Sequence, residues 1–335
     1  NNFVVLNIKK YKNLKKKFKK TKTKFFNNYK NLIKKKNDIT IAAIPGIAGL
    51  EPTIQFTKNS KKILLANKES IICGWNIINK IAKKNNTQIV PLDSEHFSIN
   101  KLTENYKDKE IEKIYITASG GPFLNLPQKQ FSKIKPKAAI KHPKWSMGKK
   151  ISVDSATLMN KILELLEAQK IFPYQSNKYE IIIHPQSLVH AIVKFKNGIT
   201  KLLYHEPDMT IPIANAIFNF DINMNSLYKK KFNKIGKIEF FKVNKNTFPS
   251  IKLIPKLNQY ISTPIVINAA NEILVDQFLK KRIRFNSIFK YLSKLLKHKK
   301  YKKYAIQRPI NLDKIYLIDN WSRKATLEII DKKKL

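Results

Sequence analysis

The feature that most constrains the fold is a strand, a glycine turn, a helix and a second strand in close succession. Ile39–Ile44 is a short apolar strand, Gly46 and Gly49 form a turn, and Leu50–Thr57 has the pattern of a helix. A second apolar strand follows at Ile63–Ala66. This order predicts a βαβ unit, and therefore a parallel sheet that is buried on both faces. Ligands of such sheets bind beyond the carboxyl ends of the strands.

Further elements follow along the chain. Ile114–Ala118 is another strand candidate, residues 152–170 are helical by pattern, and Asn197-Gly198 marks a hairpin turn between two strands. Residues 262–298 and 321–330 are mostly helical by pattern. The C-terminal third is therefore expected to form a small helical domain.

Composition narrows the class of protein. With 335 residues, of which 43% are apolar, the chain can bury a large core. No apolar run is as long as a membrane span, and the lysine-rich N-terminus lacks the apolar segment of a signal peptide. The single cysteine, Cys73, excludes an intramolecular disulfide and favours a reducing compartment.

The formal net charge of +43 raises the question of nucleic-acid binding. Only four of the 66 basic residues are arginine, the side chain that sites for bases and phosphates favour. Lysine rises instead together with asparagine and isoleucine, and A/T-rich codons encode all three. We therefore attribute the charge to codon drift and expect no nucleic-acid partner. Tight RNA binding with a steep salt dependence would contradict this interpretation.

An acidic pair stands at the end of a predicted strand. Asp93 and Glu95 follow the apolar run Gln88–Leu92. Side chains two apart in an extended segment point to the same side, so both carboxylates would face one point. Carboxylate oxygens suit Mg²⁺ or Mn²⁺, although acidic triplets of this kind are more often solvated loops.

The predicted helix 152–170 is apolar except for a narrow polar stripe. The members of the stripe recur at spacings of three and four, and they are Thr157, Asn160, Lys161 and Glu164. One interpretation is a solvated stripe with a Lys161–Glu164 ion pair. The other is a helix buried nearly all round, whose polar groups need partners such as a metal and a phosphate. Asp154 or Ser155 is the expected N-cap.

Two loops offer further binding groups. Ser119 precedes Gly120-Gly121, and the hydroxyl and exposed amides of such a turn can hold an anion. The segment 141–150 mixes lysines with His142, Trp145 and Met147. It is either a loop that closes over a ligand or an ordinary basic surface loop.

Taken in order, these segments resemble the 1-deoxy-D-xylulose 5-phosphate reductoisomerase family of the non-mevalonate isoprenoid pathway. The resemblance covers roughly residues 39–335. The matching strings are Leu65-Ala-Asn-Lys-Glu-Ser70, Asp93-Ser-Glu-His96, Ala118-Ser-Gly-Gly-Pro-Phe123, His142-Pro-Lys-Trp-Ser-Met-Gly148, Lys150-Ile-Ser-Val-Asp-Ser-Ala-Thr157, Met159-Asn-Lys161, His184-Pro-Gln-Ser187, Glu206-Pro-Asp-Met209 and Ala269-Ala-Asn-Glu272.

The resemblance implies roles for particular residues. The implied ligands of Mg²⁺, Mn²⁺ or Co²⁺ are Asp93, Glu95 and Glu164. The implied phosphate contacts are Ser119, Ser155, Asn160 and Lys161. The other implied substrate contacts are Lys68, Ser94, Glu95, His142 and Glu164, and catalysis is expected from Lys68, Glu95 and His142. The loop with Trp145 and Met147 matches the lid of the family.

The resemblance also implies a reaction. The phosphosugar 1-deoxy-D-xylulose 5-phosphate rearranges by retro-aldol cleavage and re-addition, and NADPH reduces the branched aldehyde to 2-C-methyl-D-erythritol 4-phosphate. The metal polarises two substrate oxygens as a Lewis acid. We expect a cytoplasmic homodimer with no membrane partner. The alternative is a decayed, non-catalytic relative with impaired cofactor binding.

The chain departs from the family on the cofactor side. Residues 1–38 contain no glycine-rich loop for the pyrophosphate of NADPH. The family's glycine-Lys/Arg-Asn turn aligns with Tyr11-Lys12-Asn13, and His205 stands where the family usually has glycine. We favour a fragment that lacks its N-terminus over an eroded gene. The implied cofactor-binding residues are Lys12, Asn13, Asn67, Glu69 and Gly148.

The pattern and the resemblance together predict an α/β fold of three domains. They are an incomplete Rossmann-like cofactor domain, an α/β catalytic domain with a lid loop, and a C-terminal helical domain. The expected segments are 1–92 for the truncated NADPH-binding domain, 93–220 for the catalytic metal and substrate domain, 221–246 for a connector and 247–335 for the helical domain.

Overall fold

The computed structural model describes residues 2–5, 7–33, 36–145, 147–227 and 236–332. The strands are β1 (Asn2–Val4), β2 (Lys24–Phe26), β3 (Asn37–Ala42), β4 (Ser60–Leu65), β5 (Gln88–Pro91), β6 (Ile111–Ala118), β7 (Tyr179–Ile183), β8 (Val189–Phe195), β9 (Thr200–Tyr204) and β10 (Phe241–Lys242). The helices are α1 (Ile8–Lys17), α2 (Leu50–Thr57), α3 (Lys68–Asn85), α4 (Ser94–Thr103), α5 (Pro136–Ala139), α6 (Lys149–Ala156), α7 (Met159–Ile171), α8 (Thr210–Phe218), α9 (Met224–Leu227), α10 (Thr263–Leu279), α11 (Ser287–Leu295), α12 (Tyr301–Ala305) and α13 (Leu312–Asp331).

The predicted βαβ unit is present and forms part of a three-stranded parallel sheet. Its strands run in the order β3-β4-β5, with Thr40 opposite Ile63 and Ile63 opposite Ile89. Helix α2 packs closely on α3, and glycine at position 74 permits this approach. A Cβ atom at Gly74 would lie only 2.3 Å from the Leu50 side chain. Strands β1 and β2 form a separate parallel pair.

A mixed five-stranded sheet forms the centre of the middle part of the chain. Its order is β10-β7-β6-β8-β9, with β6 and β7 parallel and the other pairs antiparallel. The predicted hairpin is present, since β8 and β9 pair around Gly198, which has φ 87°. The expected connector 221–246 contributes β10 to this sheet. Its residues 228–235 lie outside the described residues.

The single helix expected over residues 152–170 is wrong. Two helices occupy this stretch, α6 and α7, and Leu158 between them has φ 62°, a left-handed conformation that no α-helix contains. Asp154 and Ser155 therefore lie inside α6 and cap no helix. The expectation of burial holds for α7, where Asn160 and Glu164 are buried among apolar side chains.

The C-terminal helices pack on one another and on earlier helices of the chain. Helix α10 contacts α13, α11 and α6, and the Asn271 amide donates to Asp154 Oδ1 at 2.7 Å. Apolar side chains from α10, α11 and α13 belong to the same core as those of α7 and β6. Among the described residues, none of the helices combines the length and the apolarity that crossing a membrane requires.

Candidate active site

A cavity of about 260 Å³ lies beyond the carboxyl ends of β4, β5 and β6. Each of these strands delivers one wall residue from the loop that follows it, namely Ala66, Asp93 and Ser119. The polar side of α7 supplies Asn160, Lys161 and Glu164. The loop before α6 and the β8 region complete the wall with His142, Trp145, Met147 and His190. The site therefore lies where ligands of parallel sheets bind.

Three carboxylates meet on one side of this cavity. Asp93 is the N-cap of α4, Glu95 lies in its first turn and Glu164 lies on α7. One oxygen of each lies within 4.8 Å of the other two. The expected extended geometry is wrong, because α4 begins at Ser94 and Asp93 Oδ1 accepts from the Glu95 N–H at 3.4 Å. Helix capping, and not strand alternation, brings Asp93 and Glu95 together.

Two buried lysines face these carboxylates. Lys161 pairs with Glu95 and lies 2.7 Å from Glu164 Oε2. Lys68, the first residue of α3, lies 3.5 Å from both Asp93 Oδ2 and Glu164 Oε1. Burial alone would lower the pKa of both lysines, but the neighbouring carboxylates raise the pKa of each above its ordinary value. Both ammonium groups are therefore charged.

The donors fit a hard divalent cation. Glu167, one turn beyond Glu164, is a fourth carboxylate, which is buried and lies 3.8 Å from Lys68. With Lys68 and Lys161 charged, four ionised carboxylates would leave two negative charges unbalanced. Burial accordingly raises the pKa of Glu95 and Glu167 well above the ordinary value. One Mg²⁺ or Mn²⁺ on the three oxygen ligands would balance this excess.

A glycine turn fixes the anion side of the cavity. Gly120 and Gly121 have φ 80° and 63°, which other residues rarely adopt. A Cβ at Gly121 would lie 3.0 Å from the Ser155 carbonyl oxygen, so the turn packs directly on α6 beside Ser155. The Gly121 N–H donates to Ser119 Oγ at 3.0 Å. One of the amides expected to hold an anion therefore serves to orient the Ser119 hydroxyl.

His142 is held neutral and completes this orientation. Its Nδ1 accepts from the backbone amides of Lys144 and Trp145 at 3.1 and 2.9 Å. Burial, and then the charge of Lys161, lowers the pKa of His142 to about 4. The ring hydrogen therefore lies on Nε2, which is 2.9 Å from Ser119 Oγ and donates to it.

Comparison with known proteins identifies the family. A model of 1-deoxy-D-xylulose 5-phosphate reductoisomerase matches residues 1–74, and models of C-terminal domains of the same enzyme match residues 89–172 and 205–325. The reductoisomerase of Pelagibacter ubique is 46% identical over 90% of this chain and 80% of its own length. The chain belongs to the 1-deoxy-D-xylulose 5-phosphate reductoisomerase family. The reductoisomerase of Wolbachia pipientis wMel is 41% identical over 96% of this chain and 83% of its own length.

Solved reductoisomerase structures have the same fold. A complex with NADPH, fosmidomycin and magnesium is 32% identical and superposes with a TM-score of 0.86, covering 98% of this chain and 85% of that one. The Zymomonas mobilis enzyme in complex with NADPH is 30% identical, with a TM-score of 0.85 and the same coverage. The expectations of an α/β fold and of this family are therefore confirmed.

The residues expected on the cofactor side of a reductoisomerase lie in two places. Asn67 caps α3, donates to Ile44 and Gly46 carbonyls and to Glu69, and so holds the turn after β3. Gly148 precedes α6, with open space around it. Lys12 and Asn13, expected in a turn, lie exposed within α1, so that expected geometry is wrong. Their role in cofactor binding stays a prediction.

Two residues of the site region, Glu167 and His96, were given no role from the sequence, and His205 was noted only as a departure from the family. Glu167 lies three residues after Glu164 on α7, and His96 Nε2 donates to the Glu164 carbonyl oxygen at 2.8 Å. His205 packs behind the cavity wall against His190. The sequence signal that could have identified Glu167 is a carboxylate on a largely apolar helix, because such a group needs a partner when it is buried.

Proposed function

We propose that this chain is a metal-dependent reductoisomerase that uses NADPH to convert 1-deoxy-D-xylulose 5-phosphate into 2-C-methyl-D-erythritol 4-phosphate. The observation that carries the proposal is the meeting of Asp93, Glu95 and Glu164 beside Lys68 and Lys161. Family membership supports the same reaction. The alternative of a decayed relative has no support, because the implied metal and phosphate residues line one cavity.

Asp93, Glu95 and Glu164 would hold the cation through one oxygen each. When bound, the cation supplies a Lewis acid for the carbonyl and hydroxyl oxygens of the substrate. With a cation on Glu95 and Glu164, these carboxylates would no longer neutralise Lys161, and its ammonium would be available to an anion. Ser94 donates to Glu95 Oε2 at 2.5 Å and so orients that carboxylate. This arrangement couples metal binding to the anion pocket.

The phosphate would bind between the glycine turn and α7. Ser119 offers its hydroxyl hydrogen, because both its lone pairs already accept hydrogen bonds. Lys161 supplies the positive charge, and Ser155 and Asn160 line the same cavity. Neutral His142 adds no charge to this pocket, and its hydrogen bond to Ser119 orients the serine hydroxyl. Because a phosphate dianion needs both donors and charge, this group of side chains suits it.

Lys68 would contact the substrate near the metal. Its ammonium lies 2.8 Å from Asn160 Oδ1 and within 3.5 Å of two metal ligands. A charged donor at this place can stabilise an oxyanion that develops on the substrate. Lys68 is therefore a catalytic candidate. We keep Glu95 and His142 as candidates because the resemblance to the family implies them.

NADPH would approach from the side of Asn67, Glu69 and Gly148. Lys150 lies 3.4 Å from Glu69 and 3.0 Å from Asp154, so this edge is linked to α6, which carries Ser155. We keep Lys12 and Asn13 as candidates for the nucleotide end, now from an exposed helix.

We further propose a cytoplasmic homodimer. Strand β9 is an edge of the five-stranded sheet within the described residues, and Ile199 and Leu202 are exposed there. Exposed apolar edges of this kind favour association with a second chain. Sedimentation analysis of the wild-type chain and of a Leu202→Lys variant tests the proposal, and a monomeric wild-type chain would refute it.

The direct test of function is substrate-dependent oxidation of NADPH, with and without added Mg²⁺ or Mn²⁺. The proposal expects turnover with metal, none after chelation, and loss of turnover in Glu164→Gln. Intact turnover in Glu164→Gln would refute the site assignment. A folded chain that binds metal and phosphate but never oxidises NADPH would support the decayed relative instead.

A further inference from the structure

A stacked pair of buried imidazoles forms part of the cavity wall and its support. The ring centroids of His190 and His205 are 3.8 Å apart, with 18° between the planes. His190, on β8, lines the cavity. His205 follows β9 and lies behind His190, outside the cavity lining. Both residues are buried, with 2% and 6% of their surface exposed. His205 has no part in the mechanism proposed above.

The backbone partners fix the hydrogens of this pair. His190 Nε2 lies 3.1 Å from the His205 carbonyl oxygen, and His205 Nδ1 lies 2.6 Å from the Glu206 carbonyl oxygen. Carbonyl oxygens only accept, so each of these nitrogens carries a hydrogen. Burial lowers the pKa of both rings, so the second nitrogen of each ring is bare. The stack is therefore uncharged.

Position 205 carries a polar atom that the fold does not satisfy. His205 Nε2 is buried, and among the described residues it has no hydrogen-bond partner. A buried polar atom without a partner costs stability, and an aliphatic side chain would avoid that cost. An imidazole makes two contacts here that an aliphatic chain cannot make, the hydrogen bond from Nδ1 to the Glu206 carbonyl oxygen and the face-to-face stack on His190. Of these two contacts, the stack is the one that reaches the cavity wall.

The stack continues to the loop residue Trp145. The Trp145 ring lies edge-on to His190, with centroids 6.0 Å apart and 72° between the planes. Trp145 also lines the cavity. The three rings thus form one series that runs from His205, behind the wall, to the cavity.

We propose that His205 is a positioning residue, whose ring fixes the plane of His190 and thereby the place of Trp145 against the cavity. The kinetic consequence rests on the proposed reductoisomerase function, whereas the structural consequence does not. Loss of the ring would lower the population of the binding-competent arrangement. KM should therefore rise about two- to tenfold. The value of kcat should stay within about twofold, because the substitution leaves the metal ligands and Lys68 unchanged.

Fluorine NMR of the full chain labelled with 5-fluorotryptophan tests the structural consequence without turnover. The chain has three tryptophans, and Trp145→Phe identifies the resonance of Trp145. His205→Leu should shift or broaden this resonance and raise KM. His205→Phe restores a ring that can stack on His190, so the Trp145 resonance and KM should both return to their wild-type values.

A matched control exists elsewhere in the chain. His298 lies edge-on to Trp321, also at 6.0 Å and with 62° between the planes. His298→Ala should move the Trp321 resonance and leave Trp145 and KM unchanged. Equal behaviour of His205→Leu and His205→Phe, or a Trp145 resonance that moves in neither, would overturn the proposal. An inactive wild-type chain with the predicted resonance shifts would refute only the proposed function.

Discussion

His142 donates its Nε2 hydrogen to the hydroxyl oxygen of Ser119 over 2.9 Å. The direction is set by two backbone amides, of Lys144 and Trp145, that occupy the other ring nitrogen. The Gly121 N–H fills the second lone pair of the Ser119 oxygen. The hydroxyl hydrogen of Ser119 is therefore left to donate, and the serine acts as a donor to an anion in the cavity.

The first prediction concerns this donor. Ser119→Ala should weaken binding of inorganic phosphate and raise KM for the phosphosugar by about ten- to a hundredfold, since a hydrogen bond to a charged group contributes about 1.5–3 kcal/mol. Titration calorimetry with phosphate and steady-state kinetics measure the two effects. Ser176→Ala, at an exposed serine, is the control. Unchanged phosphate affinity in Ser119→Ala would contradict the assignment.

The second prediction concerns the charge of His142. Its pKa is lowered from 6.5 to about 4. Between pH 4 and pH 6.5 the imidazole of the unfolded chain therefore binds a proton more readily than that of the folded chain. The stabilising contribution of the neutral ring is complete above pH 6.5 and is lost as the pH falls towards 4. Heteronuclear NMR of the imidazole should show the Nε2–H tautomer with no titration between pH 5 and 8. A midpoint near 6.5 would refute the orientation of Ser119.

The third prediction concerns the metal ligands. Glu164→Gln should reduce the affinity for Mn²⁺ at least tenfold, because even residues that only support metal ligands contribute that much. Electron paramagnetic resonance of free Mn²⁺ measures the affinity without substrate. Glu180→Gln, on β7 with a partly exposed side chain, should leave it unchanged. Equal affinities in the two variants would remove Glu164 from the site.

The fourth prediction separates a close approach from backbone strain. Gly121 and Gly198 both have positive φ, but a Cβ at Gly121 would lie 3.0 Å from the Ser155 oxygen and at Gly198 it would meet nothing within 4 Å. Gly198→Ala should lower the free energy of unfolding by about 1–2 kcal/mol. Gly121→Ala should cost about 1–3 kcal/mol more and raise KM, since α6 must move. Denaturant unfolding of both variants measures this, and equal costs would contradict the packing described here.

Much of the fold follows from local patterns. The helix expected over Leu50–Thr57 has those bounds, and the flanking strands pair in parallel as the glycine turn and apolar runs predict. The hairpin at Asn197-Gly198 is equally local. These elements are predictable because the signal and the structure it specifies lie within a few residues of each other.

The residues expected to bind metal and substrate line one cavity, but the local geometry expected for them is wrong in two places. Asp93 follows a strand, as expected, but it caps a helix, so Glu95 reaches the cavity from a helical turn. Leu158 breaks the helix 152–170 although leucine is a good helix former, because tertiary packing buries its side chain there. A left-handed leucine has no sequence signal, unlike a left-handed glycine or asparagine.

The distant contacts were out of reach of the sequence pattern. The ion pairs of Lys68 with the cap residue of α4 and with a carboxylate on α7 join residues that only the complete fold brings together. The stack of His190 on His205 depends on the register of β8 and β9. Lys12 and Asn13 were placed in a turn because a short motif was aligned without its strand, and they lie in α1.

The most direct test of the account is a crystal structure of the chain with Mn²⁺, in which anomalous scattering locates the ion. The account predicts one peak bonded to oxygens of Asp93, Glu95 and Glu164, with Lys161 released from both glutamates. A peak that lacks any of these three ligands, or an ion bound elsewhere while this cavity keeps its lysine–carboxylate pairs, would contradict it.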